Sequence, residues 1–273
     1  MSESINIELG NVQKTMLLPL WGRAVETGKE HPLLIDKTAV EMIAKIDYDF
    51  TTIQQNISYI SQLAWIARCL HIDNTIRGFL MRHPRGTIVN IGCGLDTTFE
   101  RVDNGLLKWY DLDLPDVIAL RSKFIPANER RQFITSSFLD EKWLSELDIT
   151  DNVLFIAAGV LYYFEEAQIK VFLKRLADLF PGGEMIFDAC TPQGVRVANQ
   201  KVIKDSGMDE KSFLKWGINR AGEITSRDPR LKVLEEYPMF KNIKRRLKLR
   251  EKIGTCFSDV LNIMYMVYLR FEK

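Results

Sequence analysis

The chain has 273 residues, of which 46% are apolar and 27% charged, a composition that indicates a folded globular protein rather than a disordered chain. Its 37 lysines and arginines outnumber its 36 acidic residues by one, so the charge balance predicts neither a nucleic acid nor a membrane as a partner. Three histidines and four widely spaced cysteines, none in a CxxC pair, predict no metal site and no disulfide framework.

The first residues predict no export signal. Residues 1–15 are polar and lack the basic-then-apolar pattern of a signal peptide. No stretch of the chain approaches the roughly 18 uninterrupted apolar residues of a membrane span. We therefore expect a cytoplasmic protein.

Residues 1–84 predict a helical region. Apolar residues recur at helical spacing over 35–46, where Asp36 is a suitable N-cap. A longer apolar stripe covers 54–81. The helix is expected to end before Pro84, because the residue before a proline disfavours the helical conformation. This region is expected to be an N-terminal helical cap.

Residues 85–190 alternate strands with helices. Helices are predicted near Pro115 and over 165–180. Five strands are predicted, at residues 87–91, 107–112, 132–135, 152–158 and 184–190. Strands separated by helices in this way predict a doubly wound, parallel α/β sheet with right-handed crossovers.

Residues 191–273 are less regular. A polar, helical insertion is predicted over 192–219, and two more strands over 230–236 and 261–271, with a basic helical stretch at 240–252 between them. We interpret the basic run as a solvated face. The two strands would complete a seven-stranded, mostly parallel sheet with an antiparallel final pair, so that 1–84, 85–190 and 191–273 form one domain.

The segment TIVNIGCGLDT, residues 87–97, joins the first of these strands to a glycine loop. Gly92 and Gly94 let the backbone turn tightly and approach a ligand beyond the carboxyl end of the strand. Thr97 stands where a dinucleotide-binding loop would have a third glycine, and Asp96 disfavours a pyrophosphate but tolerates an ammonium group. The loop, with Cys93 at its centre, therefore favours S-adenosylmethionine (SAM) over NAD.

Two acids lie at the end of the second predicted strand. Asp111 and Asp113 lie roughly 20 residues after the glycine loop, where a carboxylate can bind ribose hydroxyls. Because they are two residues apart on a strand, both would point to the same face. The spacing alone does not choose between them.

Several segments together resemble the leucine carboxyl methyltransferase family, and more closely its bacterial, TcmP-like branch of tetracenomycin polyketide synthesis. The similar segments are residues 19–43, 90–102, 108–121, 136–144 and 155–169. The resemblance implies a SAM-dependent O-methyltransferase with a Rossmann-like class I fold, which converts SAM to S-adenosylhomocysteine.

The resemblance also implies roles for individual residues. Arg23 and Arg68 would hold the SAM carboxylate, which an arginine can bind with two parallel hydrogen bonds. Asp113 is the acid that matches the family's ribose-binding position. The other expected cofactor contacts are Gly92, Cys93, Gly94, Asp96, Thr97, Asp111, Ser137, Phe138, Leu139, Asp140 and Ala158.

The methyl acceptor is expected to be a small-molecule carboxylate or acidic hydroxyl, because the chain shows no convincing general base and such groups need none. The candidate substrate contacts are Tyr162, Tyr163 and His31, while Trp65 is expected to pack rather than bind. The substrate pocket is expected between the N-terminal helices and residues 191–219.

Three alternatives remain open. The missing third glycine counts against a nicotinamide-dependent oxidoreductase. A SAM-binding module without catalysis would keep the same loop and acids. A protein C-terminal carboxyl methyltransferase is disfavoured because leucine-specific members of the family have an acid where this chain has Ala158. The acceptor's identity and the oligomeric state, a homodimer included, are left open by the sequence.

Overall fold

The structure, a computed structural model, describes residues 5–7, 9–226 and 228–273. Helices occupy most of the region where a helical cap was predicted. None of the helices in these ranges, the 24-residue α5 (Tyr59–Arg82) included, has the length and hydropathy needed to cross a membrane. The elements before α5 are β1 (Ile5–Asn6), α1 (Asn11–Lys14), α2 (Leu17–Thr27), α3 (Lys37–Lys45), β2 (Ile46–Asp47) and α4 (Thr51–Asn56).

The single helix predicted over residues 54–81 is two helices. Between α4 and α5 the backbone of Ser58 is extended, and its hydroxyl accepts a hydrogen bond from the Ser61 N–H at 3.1 Å. An N-cap of this kind starts a new helix. The prediction was wrong here because the apolar spacing continues across a break that only the capping serine marks.

A seven-stranded sheet forms the centre of the molecule. Its order is β5-β4-β3-β6-β7-β9-β8, in which β9 is antiparallel to both of its neighbours and all other pairs are parallel. This confirms the predicted α/β sheet and its antiparallel final pair. The strands are β3 (Thr87–Ile91), β4 (Lys108–Asp113), β5 (Arg131–Thr135), β6 (Val153–Ala157), β7 (Glu184–Cys190), β8 (Leu231–Pro238) and β9 (Met264–Phe271).

The remaining helices connect these strands. Pro115 occupies the first turn of its helix, as predicted, since its fixed φ suits that position. The α-helices are α6 (Thr98–Val102), α7 (Pro115–Arg121), α8 (Glu166–Leu179), α9 (Pro192–Ala198), α10 (Gly222–Thr225) and α11 (Leu249–Val260). A π-helix (Asn199–Lys204) follows α9, and short 3-10 helices cover Lys142–Glu146, Leu161–Tyr163, Glu210–Ser212 and Lys244–Arg246.

The basic helical stretch predicted over residues 240–252 is wrong in its bounds, since α11 begins only at Leu249. Phe240, Ile243 and Leu247 are buried at a spacing of three and four residues, which resembles a helix in the sequence. Their backbone instead forms turns and a short 3-10 helix, and each side chain packs into the core between α5 and the sheet.

Apolar side chains cover both faces of the sheet. In β3, Val89 and Ile91 pack into the cluster that contains the inner side of α8, whereas Ile88 packs into the cluster that contains α5. This alternation is what a parallel strand buried on both faces requires. The chain changes direction across the sheet between β3 and β6, so the loops after these strands border a crevice of the kind that binds ligands.

Candidate functional site

A cavity of about 440 Å³ lies beyond the carboxyl ends of β3, β4 and β6. Its volume is in the usual range for sites of small molecules, roughly 300–1,000 Å³. Its walls come from the N-terminal helices, the loops after the strands and the insertion after β7. The residues from the strand ends are Asn90, Gly92, Cys93, Gly94, Leu95, Asp96, Leu112, Asp113, Leu114, Ser136, Ser137, Phe138, Ala158, Gly159 and Val160.

The glycine loop presents its backbone to this cavity. Gly92 and Gly94 have φ angles of +60° and +47°, in the left-handed region that favours glycine. A Cβ atom at Gly92 would lie 2.6 Å from Cγ2 of Val160, so the loop excludes a side chain there on steric grounds as well. The two glycines predicted from the sequence are thus required by the geometry of the loop.

Asp113, the last residue of β4, faces the glycine loop. Its carboxylate accepts hydrogen bonds from the N–H groups of Gly94 and Leu114, both at 2.8 Å. Burial raises the pKa of Asp113 to about 6, while these two N–H donors act in the opposite direction. At neutral pH the cavity wall therefore holds an ionised carboxylate with the capacity to accept further hydrogen bonds.

Asp111, unlike Asp113, does not line the cavity, and its expected contact with the cofactor stays a prediction. Its carboxylate is fully buried and forms ion pairs of 2.9 Å with Arg121 and Arg131. Arg121 also donates a hydrogen bond to the carbonyl oxygen of Gly94 at 2.9 Å. Asp111 thus stabilises the glycine loop indirectly, by holding Arg121 in contact with the Gly94 carbonyl oxygen.

Asp96 places a negative charge in the wall. Its carboxylate accepts hydrogen bonds from the Asn90 amide at 3.2 Å and from the Thr98 hydroxyl at 3.0 Å. Burial favours a raised pKa for Asp96, but the nearby Arg101, Arg23 and Arg121 outweigh it and hold the pKa below its usual value. The group is an anion and can pair with an ammonium ligand.

Arg23 reaches the cavity from α2 and is held by Asp36. Its Nε lies 2.8 Å from the Asp36 carboxylate and its Nη2 donates to the Leu95 carbonyl at 2.7 Å. Asp36 also caps α3, as predicted, by accepting the Ala39 N–H at 2.9 Å. The same carboxylate accepts hydrogen bonds from the Thr97 hydroxyl and, at 3.3 Å, from Arg101.

Arg68 reaches the cavity from α5 and is held by Asp188 of β7. Its Nη1 lies 2.9 Å from the Asp188 carboxylate and 3.2 Å from the Tyr162 hydroxyl. Asp188 is fully buried, and its second oxygen accepts the Gly159 N–H at 2.6 Å. Sequence reasoning missed Asp188, although an acid inside the apolar strand EMIFDAC signals a buried partner.

Four other expected contacts lie outside the cavity wall, and their roles stay predictions. The Thr97 hydroxyl is turned toward Asp36, Leu139 packs against the core, and Asp140 is exposed. The side chain of His31 is 91% exposed and is not part of the cavity wall. The predicted contacts that do line it are Arg23, Arg68, Gly92, Cys93, Gly94, Asp96, Asp113, Ser137, Phe138, Ala158, Tyr162 and Tyr163.

The side chains of Tyr162, Tyr163 and Cys93 on the cavity wall are uncharged at neutral pH. Burial raises the pKa of Tyr162 well above its usual value, and it also raises the pKa of Tyr163, whose hydroxyl donates to Thr15 at 3.2 Å. Burial likewise raises the pKa of the Cys93 thiol, which disfavours a thiolate. Among the described residues, the wall contains no histidine, lysine or glutamate.

The cavity also has an apolar part, defined here as the apolar lobe, between the N-terminal helices and the insertion after β7. Trp65, expected only to pack, is part of its wall. The sequence did not identify the other members, because they come from segments far apart in the chain. The apolar lobe consists of Val12, Leu18, Trp65, Phe164, Ala198, Val202, Ile203, Leu214 and Met264.

Comparisons with known proteins give a consistent result. The profile of the family described as leucine carboxyl methyltransferase matches residues 17–177. The chain is 32% identical over 235 residues, 85% of each chain, to the tetracenomycin polyketide synthesis O-methyltransferase TcmP of Streptomyces glaucescens. It is 31% identical over 204 residues, 67% of each chain, to the S-adenosyl-L-methionine-dependent methyltransferase dpfgK of Gibberella zeae.

A solved structure of a DUF574-family protein from Streptomyces avermitilis has the same fold. It superposes with a TM-score of 0.58 and covers 92% of this chain and 97% of its own. The two sequences are 12% identical, so this likeness concerns the fold alone.

Proposed function

The chain belongs to the leucine carboxyl methyltransferase family, and from this premise we propose that it methylates a carboxylate or an acidic hydroxyl of a small, largely apolar molecule. The cofactor is SAM, the methyl donor of the family, and not a nicotinamide cofactor, which would transfer hydride. The observation that carries the proposal is the apolar lobe, which adjoins the charged end of the cavity and contains no base.

The charged end of the cavity fits SAM. Arg68 and Arg23 are assigned to the carboxylate of its methionine part, and the Asp96 anion to its ammonium group. In Arg68 both hydrogen bonds to described residues use Nη1, which leaves Nε and Nη2 for a ligand. Opposite charges on the wall thus match opposite charges on the ligand.

The other half of the cofactor requires a ribose and an adenine site. Asp113 is assigned to the ribose hydroxyls, because its ionised carboxylate lines the cavity at the end of β4. Phe138 and Ser137, which follow β5, are assigned to the adenine. The positive φ of Gly92 lets the chain pass close to the methionine part without a side chain between them.

When bound, SAM supplies a methyl group on a positively charged sulfur, which the acceptor oxygen attacks directly. The protein's contribution is to hold and align the two molecules, an effect worth up to about 7–11 kcal/mol in favourable cases. Trp65 and its neighbours in the apolar lobe exclude water from the acceptor. Tyr162, neutral and hydrogen-bonded to Arg68, can orient an acceptor oxygen without removing a proton from it.

The lack of a base in the apolar lobe favours an acceptor that is already ionised. A carboxylate is ionised at neutral pH, and an acidic phenol is partly so, whereas an aliphatic alcohol needs a proton acceptor. Asp113 has a pKa near 6, but its hydrogen bond to Gly94 holds it at the cofactor end of the cavity. The relative TcmP is named an O-methyltransferase of polyketide synthesis, which agrees with an oxygen acceptor on a small molecule.

The test is a transfer assay with labelled SAM and apolar scaffolds that differ only in one group: a carboxylate, an acidic phenol or an aliphatic alcohol. We expect transfer to the carboxylates or the phenols and none to the alcohols. Alkali separates the two products, because it releases methanol from a methyl ester and leaves an ether intact. Transfer to the alcohols alone would contradict the proposal.

The same labelling applied to a cell lysate distinguishes a protein substrate. A single labelled protein band, with no labelled small molecule, would replace our proposal by C-terminal carboxyl methylation. Ala158 argues against that result, because it contributes only a methyl group where leucine-specific relatives are expected to have an acid.

A further inference from the structure

Helix α11 exposes an apolar stripe to solvent. Leu249, Ile253, Phe257 and Val260 are 77%, 67%, 65% and 83% exposed. Their spacing of four, four and three residues places them on one side of the helix. We call this stripe, together with Arg250 between its first members, the α11 face.

The polar side of α11 is turned toward the protein. Asp259 is buried, pairs with Lys244 at 2.6 Å and accepts the Phe240 N–H at 3.2 Å. Thr255 is fully buried on the same side. Turning the apolar stripe inward would break these contacts, so the orientation of the α11 face is fixed by the fold.

Positive charge is concentrated in the sequence that leads into α11 and forms its first turn. Residues 241–252 contain seven lysines and arginines and one acid, whereas the whole chain carries a net charge of only +1. Arg245, Lys248 and Arg250 are exposed. Neither Arg245 nor Arg250 forms an ion pair with a described residue. The near-neutral net charge of the whole chain predicted no membrane partner, but this segment is strongly basic.

We propose that the α11 face docks on an anionic lipid surface. Apolar side chains on one side of a helix can enter the boundary between headgroups and acyl chains. Exposed lysines and arginines beside them gain attraction from anionic headgroups. Phe257 and Ile253 supply the apolar contact, and the exposed side chains of Arg245, Lys248 and Arg250 supply the electrostatic contact.

A second copy of the chain fits this face less well. Twelve helical residues span roughly 18 Å, so the face offers only a few hundred Å². Stable protein interfaces bury about 1,200–2,000 Å² in total. A symmetric contact would also bring the same basic segment, whose single acid is Glu251, against its own copy.

Helix α11 is connected by a short segment to the apolar lobe of the cavity. Residues 261–263 lead from α11 directly to Met264, which belongs to the apolar lobe. A protein docked through α11 would hold this lobe close to the lipid surface, where apolar molecules accumulate. The docking itself does not depend on which acceptor is methylated.

The experiment is flotation of the full chain with vesicles of phosphatidylcholine, with and without phosphatidylglycerol. We expect binding only to vesicles that contain phosphatidylglycerol, and less binding at high salt. The double variant Ile253→Asp/Phe257→Asp and the double variant Arg245→Glu/Arg250→Glu should each weaken binding about tenfold or more. Val171→Asp/Leu179→Asp on α8 is the matched control, since these residues are 58% and 54% exposed, and it should bind like the wild type.

Every variant is first checked for unchanged circular dichroism and unchanged affinity for S-adenosylhomocysteine, which shows that the fold is intact. Equal binding to both vesicle types, no binding to either, or loss of binding in the α8 control would overturn the proposal. A dimer in light scattering that Ile253→Asp/Phe257→Asp converts to a monomer would assign the face to a second copy instead.

Discussion

Asp111 and Asp113 lie two residues apart on β4, yet their carboxylates have different surroundings. Asp111 is enclosed between Arg121 and Arg131, and Asp113 faces the glycine loop at the strand's end. The sequence could predict an acid at this place, because the distance from the loop fixes it. It could not choose between the two, because the buried arginines belong to elements that follow the strand.

The two acids are expected to respond differently to the same substitution. Asp111→Asn leaves two buried guanidinium groups without their anion, so we expect the free energy of unfolding to fall by about 3–5 kcal/mol. Asp113→Asn keeps the shape of a side chain that faces a cavity, so the unfolding free energy should change far less while the affinity for SAM falls. Urea denaturation and calorimetry measure the two effects.

Asp116→Asn, a change in another aspartate of the same region outside the cavity wall, serves as the control for both measurements. If Asp113→Asn lowered stability as much as Asp111→Asn and left SAM affinity unchanged, the assignment of Asp113 to the ribose would be wrong.

The raised pKa of Asp113 predicts a dependence of SAM affinity on pH. The carboxylate accepts hydrogen bonds best when ionised, so affinity should decrease as the pH falls through about 6. The folded state binds this proton more tightly than the unfolded state, so the group's own contribution to stability increases as the pH falls through the same value. Calorimetric titrations between about pH 7 and pH 5 measure the first effect. A pH profile that remained the same in Asp113→Asn would assign the titration to another group.

Among elements, the start of α5 depends on one hydroxyl group. Ser58→Ala removes the acceptor of the Ser61 N–H, and we expect the free energy of unfolding to fall by about 1 kcal/mol. Ser61→Ala is the matched control, because it keeps the backbone donor and the capping acceptor. Denaturation curves for the two variants should therefore differ, and equal losses would show that the serine hydroxyls act on each other rather than on the helix end.

The elements also show what apolar spacing can and cannot predict. The strand predictions at residues 87–91 and 184–190 match β3 and β7, since runs buried on both faces end where glycine or a polar residue appears. Spacing does not reveal where the backbone restarts, as at Ser58, or whether buried residues lie in turns, as at Ile243. These outcomes depend on one cap or on the shape of the core around each side chain.

For the whole molecule, the cavity combines residues that no local pattern connects. Its charged end follows the sheet and was largely predictable, because parallel strands bring their carboxyl ends together. The apolar lobe joins Trp65 to Leu214, and only the folded chain brings such distant residues to one wall. The division into residues 1–84, 85–190 and 191–273 stays a prediction, and the oligomeric state stays open.

Ligand binding should stabilise the molecule as a whole. S-adenosylhomocysteine at about a hundred times its dissociation constant adds about 2.7 kcal/mol to the free energy of unfolding. That corresponds to a rise of several degrees in the melting temperature. A thermal melt with NADH at the same concentration is the control. An equal rise with NADH would contradict a site specific for SAM and its product.

The Asp36 carboxylate connects α2, α3, α6 and the glycine loop through hydrogen bonds. One carboxylate receives Arg23 from α2, Thr97 from the glycine loop and Arg101 from α6, and it also caps α3. These segments cannot open independently without leaving a buried charge alone. Amide hydrogen exchange should therefore occur in α2, α3 and the loop as one cooperative unit, and occupancy of the cavity should slow exchange at backbone amides that no ligand touches.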